Sequence, residues 1–236
     1  MILRRFTKHV SDQNWFAVGL DIFVVIFGVY IGIFLGEISD ERATRSDVND
    51  ALQVVRLQLK EDLKTLDGII AYRQEKLQEP VRLMPLVGRQ EIDKADFGDG
   101  LLTAFGRLFT FFPKSSGYAS MKDRGYLARL DDPHLQDALA HLFDHVYTRN
   151  TVNGDESDQN TFFYERNVVA VYWNIENPDF VGDEEIARAR LQNALSRLES
   201  YSAWYVQFLR ENVRPAIVAA IEAIEGRQGG LQLGTR

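Results

Sequence analysis

Cysteine is absent from this 236-residue chain, so it has no disulfide framework, no thiolate metal site and no cysteine nucleophile. Positive charge is in deficit, with 27 Lys and Arg against 34 Asp and Glu and a formal net charge of −7. A nucleic-acid binder needs a basic face to displace counterions from phosphates, and this balance argues against one. Proline is scarce, and the first is Pro80, so nothing before that point need break a long helix. No Walker or Rossmann glycine loop and no internal repeat occurs, and Ser115 and Ser116 precede Gly117 without the G-x-S-x-G elbow. Acidic residues are plentiful, but no spacing singles out a carboxylate pair for acid–base work. The expectation is a protein that is not an enzyme, with no catalytic residue and no cofactor.

What the chain does have is one long apolar run. Trp15 to Gly36 reads WFAVGLDIFVVIFGVYIGIFLG, 22 residues with Asp21 as its single charge. At 1.5 Å per residue it extends about 33 Å, enough to cross the hydrocarbon core of a bilayer. Arg4, Arg5 and Lys8 would also suit a signal peptide, but no small-x-small cleavage site follows at Phe34, Leu35, Gly36 and Glu37. We read the run as an uncleaved anchor. Three basic residues precede it, and Glu37, Asp40 and Glu41 follow it with only Arg42 and Arg45 nearby. The positive-inside rule then keeps residues 1–14 in the cytoplasm and sends the rest across the membrane. The 200 residues after the span carry 24 basic and 32 acidic side chains, which suits no anionic membrane surface. Gly28, Gly32 and Gly36 recur every four residues and Asp21 lies near the same face, so these four are the candidate helix-packing positions.

Downstream, residues 37–79 read as a stalk helix with Val48, Leu52, Val55, Leu59, Leu63, Leu66 and Ile70 on one stripe. Anchor and stalk could be one helix, although Ser39 or Asp40 could cap a fresh start. Residues 80–225 are expected to form a helical domain packed on the stalk, and 226–236 a disordered tail. Within that domain, 81–100 read as a short helix and loop, and 101–112 (LLTAFGRLFTFF) as a core helix or, failing that, a docking patch. Gly125 suits a positive-φ helix stop, Asp131 or Asp132 a cap, and Pro133 a first helical turn. Residues 151–160 (TVNGDESDQN) read as a polar loop without EF-hand ligand spacing. Residues 161–175 could be helix or strand, and helical neighbours favour helix; beyond Asn177-Pro178 a long helix begins near Asp183, with Pro215 kinking or dividing it. The fold class is all-α: a transmembrane helix, a stalk and a helical bundle.

Two segments carry a resemblance. DQNWFAVGLDIFVVIFGVYIGIFLGE followed by a charged helix resembles the anchor of an uncharacterised family of small single-pass bacterial membrane proteins with a helical extracytoplasmic domain. PKSSGYASMKDRGYLARLDDPHLQDALAHLFD is similar to a second family pattern, at Tyr118, Met121, Lys122, Gly125, Leu127, Leu130, Asp132, Leu135 and Leu139. The chain departs from it after the anchor, with Glu37-Ile38 where the family often has Asn-Trp. The resemblance implies topology and bacterial origin, which puts the anchor in the inner membrane and residues 80–225 in the periplasm as a helical periplasmic domain, and it supplies no activity.

The remaining candidates are His134, His141 and His145, spaced 7 and 4 on one helix face beside Asp144. Two histidines four apart can share a metal, but HLFDH lacks the glutamate of a zincin helix, and the face is opposite Leu135, Leu139 and Leu142. They are weak metal candidates. The functional expectation is a scaffold or accessory subunit that contacts the lipid bilayer and a membrane or periplasmic protein partner, a second copy included, and no nucleic acid. The alternative is a ligand-sensing bundle that signals through a partner, with Phe162, Phe163, Tyr164, Tyr172, Trp173, Trp204 and Tyr205 lining a pocket.

Overall fold

The computed structural model describes the backbone of residues 15–106 and 108–233, and the side chains of residue 20, 22–106 and 108–227. Arg4, Arg5, Lys8, His9 and the Asp21 side chain lie outside the described residues. The chain forms two compact units, Met1–Asp50 and Ala51–Arg236.

Helix α1, Trp15–Lys76, begins in the first unit. It passes through Ser39 and Asp40 without a break, so neither starts a new helix. Its large apolar residues from Leu20 to Leu35 are all exposed, from 40% at Ile31 to 67% at Tyr30. A contiguous apolar surface of this size marks a site that meets a membrane or another protein. The helix is long and apolar enough to cross a membrane. Beyond it Glu41 and Arg45 pair at 2.6 Å on the exposed surface.

In the second unit, α1 buries Leu52, Val55, Leu59, Asp62, Leu66, Ile70 and Arg73. That spacing of three and four is the expected apolar stripe with two charges set into it. Leu63, read as part of the stripe, is only half-buried, and Asp62 holds the inward position. The stalk helix ends at Lys76 rather than residue 79; Leu77 joins it to α2, Gln78–Val87. Pro80 is tolerated in the first turn of α2, where backbone N–H groups have no helical partner. Helix α3 is Lys94–Phe105, capped by the Asp93 carboxylate. Leu83 and Val87 of α2 and Phe97, Leu101 and Phe105 of α3 form one core with Trp173, Leu191, Leu195 and Leu198. The core helix expected over 101–112 is therefore only partly present: it stops at Phe105, and residues 108–115 form neither helix nor strand.

Helix α4, Ser116–Asp123, closes as the sequence indicates. Gly125 has φ +68°, its N–H donates to the Lys122 carbonyl, and Tyr126 N–H donates to the Met121 carbonyl. This is a Schellman stop, which needs the left-handed region that glycine enters without strain. After a single 3₁₀ turn at Leu127–Arg129, the Asp132 carboxylate accepts from His134 and Leu135 N–H, and Pro133 opens α5, Pro133–Ala140. Asp132→Ala should lower stability by about 1 kcal/mol, measured by urea unfolding of the full chain in detergent. Asp132→Asn, which can still cap, should stay close to wild type.

Helix α5 continues through a π turn at His141–Val146 into α6, Tyr147–Tyr164, and through a second at Glu165–Val169 into α7, Ala170–Tyr172. The polar loop expected at 151–160 is thus the middle of a helix. It went unread because α6 buries Asn150, Asn153, Gly154, Ser157 and Thr161, a helical stripe made of small and polar side chains rather than apolar ones. Helix is also what residues 161–172 adopt, before a two-stranded hairpin, β1 Trp173–Asn174 and β2 Asp179–Phe180, antiparallel with Trp173 opposite Phe180.

Helix α8, Glu184–Phe208, passes through a third π turn at Leu209–Val213 into α9, Arg214–Leu233. Pro215, in the first turn of α9, cannot donate to the carbonyl four residues back, and the wider turn falls just before it, where the sequence placed a kink or division. The backbone of α9 stays helical past Gly226, where a disordered tail was expected; no proline follows to stop it. Helix α9 runs back along α1, with Arg214 on Asp67 at 2.8 Å and Glu225 on Lys60 at 2.7 Å. Ile217, Ile221 and Ile224 face inward.

Candidate functional site

An extended strap, residues 108–115, lies between α1 and α6 in the second unit. Its backbone belongs to no sheet, so the polar groups it buries need side-chain partners. The charges set into α1 supply them. Arg73 Nε donates to the Phe109 carbonyl at 2.7 Å, and Asp62 accepts from Lys114 N–H at 3.0 Å. From Phe109 to Lys114 the extended chain advances about 16 Å, and from Arg73 back to Asp62 the helix covers about 16 Å. The strap therefore runs antiparallel to α1 in matching register. Gln58 continues the pattern by accepting from Gly117 N–H at 3.0 Å. From the other side, Asn150 of α6 donates to the Phe111 carbonyl at 2.8 Å.

Arg73 is the centre of this seam. Its side chain is fully buried and its guanidinium reaches Ser157 Oγ at 3.1 Å, Thr110 Oγ1 at 2.9 Å and Asp158 Oδ1 at 3.3 Å. It also lies 4.5 Å from the centre of the Tyr205 ring, a cation–π contact. Burial pulls the Arg73 pKa down, and the neighbouring Tyr205 hydroxyl and Asp158 carboxylate oppose that pull. Arginine remains charged under such a shift. Burial pushes the Tyr205 hydroxyl up to about 12, so at neutral pH it keeps its proton and donates to Asn150 Oδ1 at 3.2 Å. At the other end, burial raises the Asp62 pKa, while the Lys114 N–H and the Tyr147 hydroxyl, which donates at 3.0 Å, stabilise the carboxylate. Tyr147 is itself pushed upward by burial.

Chemically this is a clamp. Every polar group named in it is engaged with another part of the same chain, and Arg73 offers no surface to solvent. A void of about 10 Å³ beside Arg73, Pro80, Leu108 and Ser202 has room for about one water. A wider hollow of about 270 Å³ opens to solvent between the end of α1 and α8, and there Arg210 donates to Gln74 Oε1 at 2.9 Å.

The residues singled out from the sequence fall elsewhere. Gly28, Gly32 and Gly36 face open space, with no atom within 4 Å of the position a Cβ would take. The seven aromatics do not converge on a pocket. Trp173 and Tyr205 are core residues at 2% and 0% exposure, whereas Phe162, Phe163 and Trp204 are exposed. His134, His141 and His145 are all exposed. Only the rings of His141 and His145 are close, with centroids 6.3 Å apart. Among the described residues no group of three or more His, Asp or Glu side chains could hold a metal ion.

The residues of the second resemblance have structural roles. Tyr118, Met121, Leu130, Leu135 and Leu139 are buried, Gly125 is the helix stop and Asp132 the cap. The Tyr118 ring stacks on Phe143 at 4.4 Å and its hydroxyl donates to Asp144 at 2.9 Å. Residues 21–170 match the family of unknown function DUF6090. The chain belongs to that family. The DUF6090 match takes in the apolar helix from residue 21 onward, the strap and every seam residue of α1 and α6, and stops before Tyr205. No curated protein and no solved structure matches the chain.

Sequence reasoning missed the seam. The signal was present in the stripe of α1: continuing its spacing of three and four inward selects Asp62 and Arg73, which a search restricted to apolar residues passes over.

Proposed function

We propose that this chain is a single-pass inner-membrane protein whose helical domain faces the periplasm and serves as a scaffold or accessory subunit through protein contacts, without catalysis. The observation that carries this reading is the exposed apolar face of α1 from Leu20 to Leu35, joined in one chain to a domain whose buried polar groups clamp its own strap. Arg4, Arg5 and Lys8 ahead of the span support a cytoplasmic N-terminus. Phe109, Phe112, Phe162, Phe163 and Trp204 are exposed on the second unit and supply apolar surface for a partner. The aromatics named for a ligand-sensing pocket are spread over buried, half-buried and exposed positions, which favours the scaffold reading over the sensing one.

A reporter active only in the periplasm, fused after Arg236, should be active, and a cytoplasm-only reporter at the same place should be silent. Neutralising Arg4, Arg5 and Lys8 together should give mixed orientations. The opposite reporter result on the unmodified chain would place the domain in the cytosol and end the periplasmic reading. Crosslinking in the intact membrane should trap a protein partner; a chain that stays strictly monomeric there would end the scaffold reading.

A further inference from the structure

We propose that His141 and His145 form a two-histidine site for a divalent late transition-metal ion, Cu²⁺, Ni²⁺ or Zn²⁺, with water completing the coordination. The inference is independent of the scaffold reading. Both imidazoles are exposed, their ring centroids are 6.3 Å apart, and the planes are tilted by 48°. Among the described residues neither makes a hydrogen bond or an ion pair. The carboxylate between them, Asp144, is engaged by the Tyr118 hydroxyl at 2.9 Å and by Lys122 at 3.5 Å, so it does not hold either ring.

The local backbone favours the pair. Both histidines belong to the π turn His141–Val146. Residues four apart in an α-helix are separated by about 6 Å along the axis; a π turn fits more residues into each turn and shortens that separation. One ion bound at about 2.0–2.1 Å to two imidazoles needs their nitrogens about 3.3 Å apart. Rotation of two exposed side chains from a 6.3 Å centroid separation reaches that distance without moving the helix. Two protein ligands make an open site, consistent with the absence of any three-residue cluster among the described residues. Imidazole suits these three metals, and the intrinsic order of affinity puts Cu²⁺ ahead of Ni²⁺ and Zn²⁺. His134 lies in the first turn of α5, about 10 Å along the helix from His141, and is outside the chelate.

The test uses the full chain in detergent with His9→Ala as the common background, titrated with NiCl₂ and CuCl₂ by calorimetry. The expected result is one site per chain. His141→Ala and His145→Ala should each weaken it at least tenfold, and each should equal the double variant, because a chelate is lost when either ligand goes. His134→Ala should leave it unchanged. The two-imidazole nitrogen couplings in the Cu²⁺ electron paramagnetic resonance spectrum should be lost in either single variant. The proposal is overturned if both single variants keep wild-type affinity, if the two losses are additive, or if His134→Ala removes the binding. Since all three side chains are exposed, metal-free thermal unfolding should be the same in every variant, which separates lost ligation from lost folding.

Discussion

Arg73→Met should lower the unfolding free energy of the full chain by about 3–5 kcal/mol, the range for removing one partner of a buried ion pair. The loss exceeds that of an ordinary buried hydrogen bond because one guanidinium serves four oxygens, on Phe109, Thr110, Ser157 and Asp158. Methionine fills comparable volume and leaves those oxygens without their donor, each at a cost of about 1–3 kcal/mol if nothing else reaches it. Asp158 is about one quarter exposed, so water offsets part of its share. Arg73→Lys should fall between, since an ammonium keeps the charge but cannot hold the fork geometry. Adding Asp158→Leu to Arg73→Met should recover part of the loss, because no unpaired carboxylate then remains. Urea unfolding followed by the fluorescence of buried Trp173 reads the effect. A loss below about 1 kcal/mol in Arg73→Met would mean that the strap is held by its apolar contacts alone.

The long apolar helix, the α1 stripe, the Gly125 stop and the Asp132 cap were legible in the sequence because each rests on a local rule: length, period, positive φ, a side chain reaching two or three residues on. Where the sequence misled, burial had been assigned to apolar residues only. Residues 151–160 look like a loop until Asn150, Asn153, Gly154, Ser157 and Thr161 are counted as a buried face, and their burial depends on a strap more than forty residues earlier in the chain. The same dependence hid Asp62 and Arg73, whose partners are backbone groups of residues 109 and 114. An extended segment without a ladder is indistinguishable from an ordinary loop until the helices beside it are known. Pro215 marks the division read from the sequence; what no local pattern announces is the π turn just before it that joins α8 to α9.

Gly154 and Gly68 should respond to the same substitution with opposite signs. Both lie inside helices, where replacing glycine by alanine adds about 1 kcal/mol of helix stability when nothing else changes. At Gly68 nothing lies within 4 Å of the new Cβ, so Gly68→Ala should stabilise the chain by roughly 0.5–1 kcal/mol. At Gly154 the new atom would stand 2.4 Å from Thr110 Cγ2 and 3.1 Å from the Tyr205 hydroxyl oxygen. Thr110 belongs to the strap and Tyr205 to α8, and both are fixed by the seam, so α6 must move away from one of them. Overpacking of this kind costs about 1–3 kcal/mol. That outweighs the propensity gain for alanine and exceeds it further for valine, with Gly154→Val expected to lose about 3 kcal/mol or more. The displacement should also lengthen the bond from Tyr205 to Asn150, so amide hydrogen exchange across residues 147–161 should accelerate in Gly154→Ala and remain unchanged in Gly68→Ala. If Gly154→Ala proves stabilising, the strap is free to yield, and the clamp described for Arg73 and Asn150 does not hold it in place.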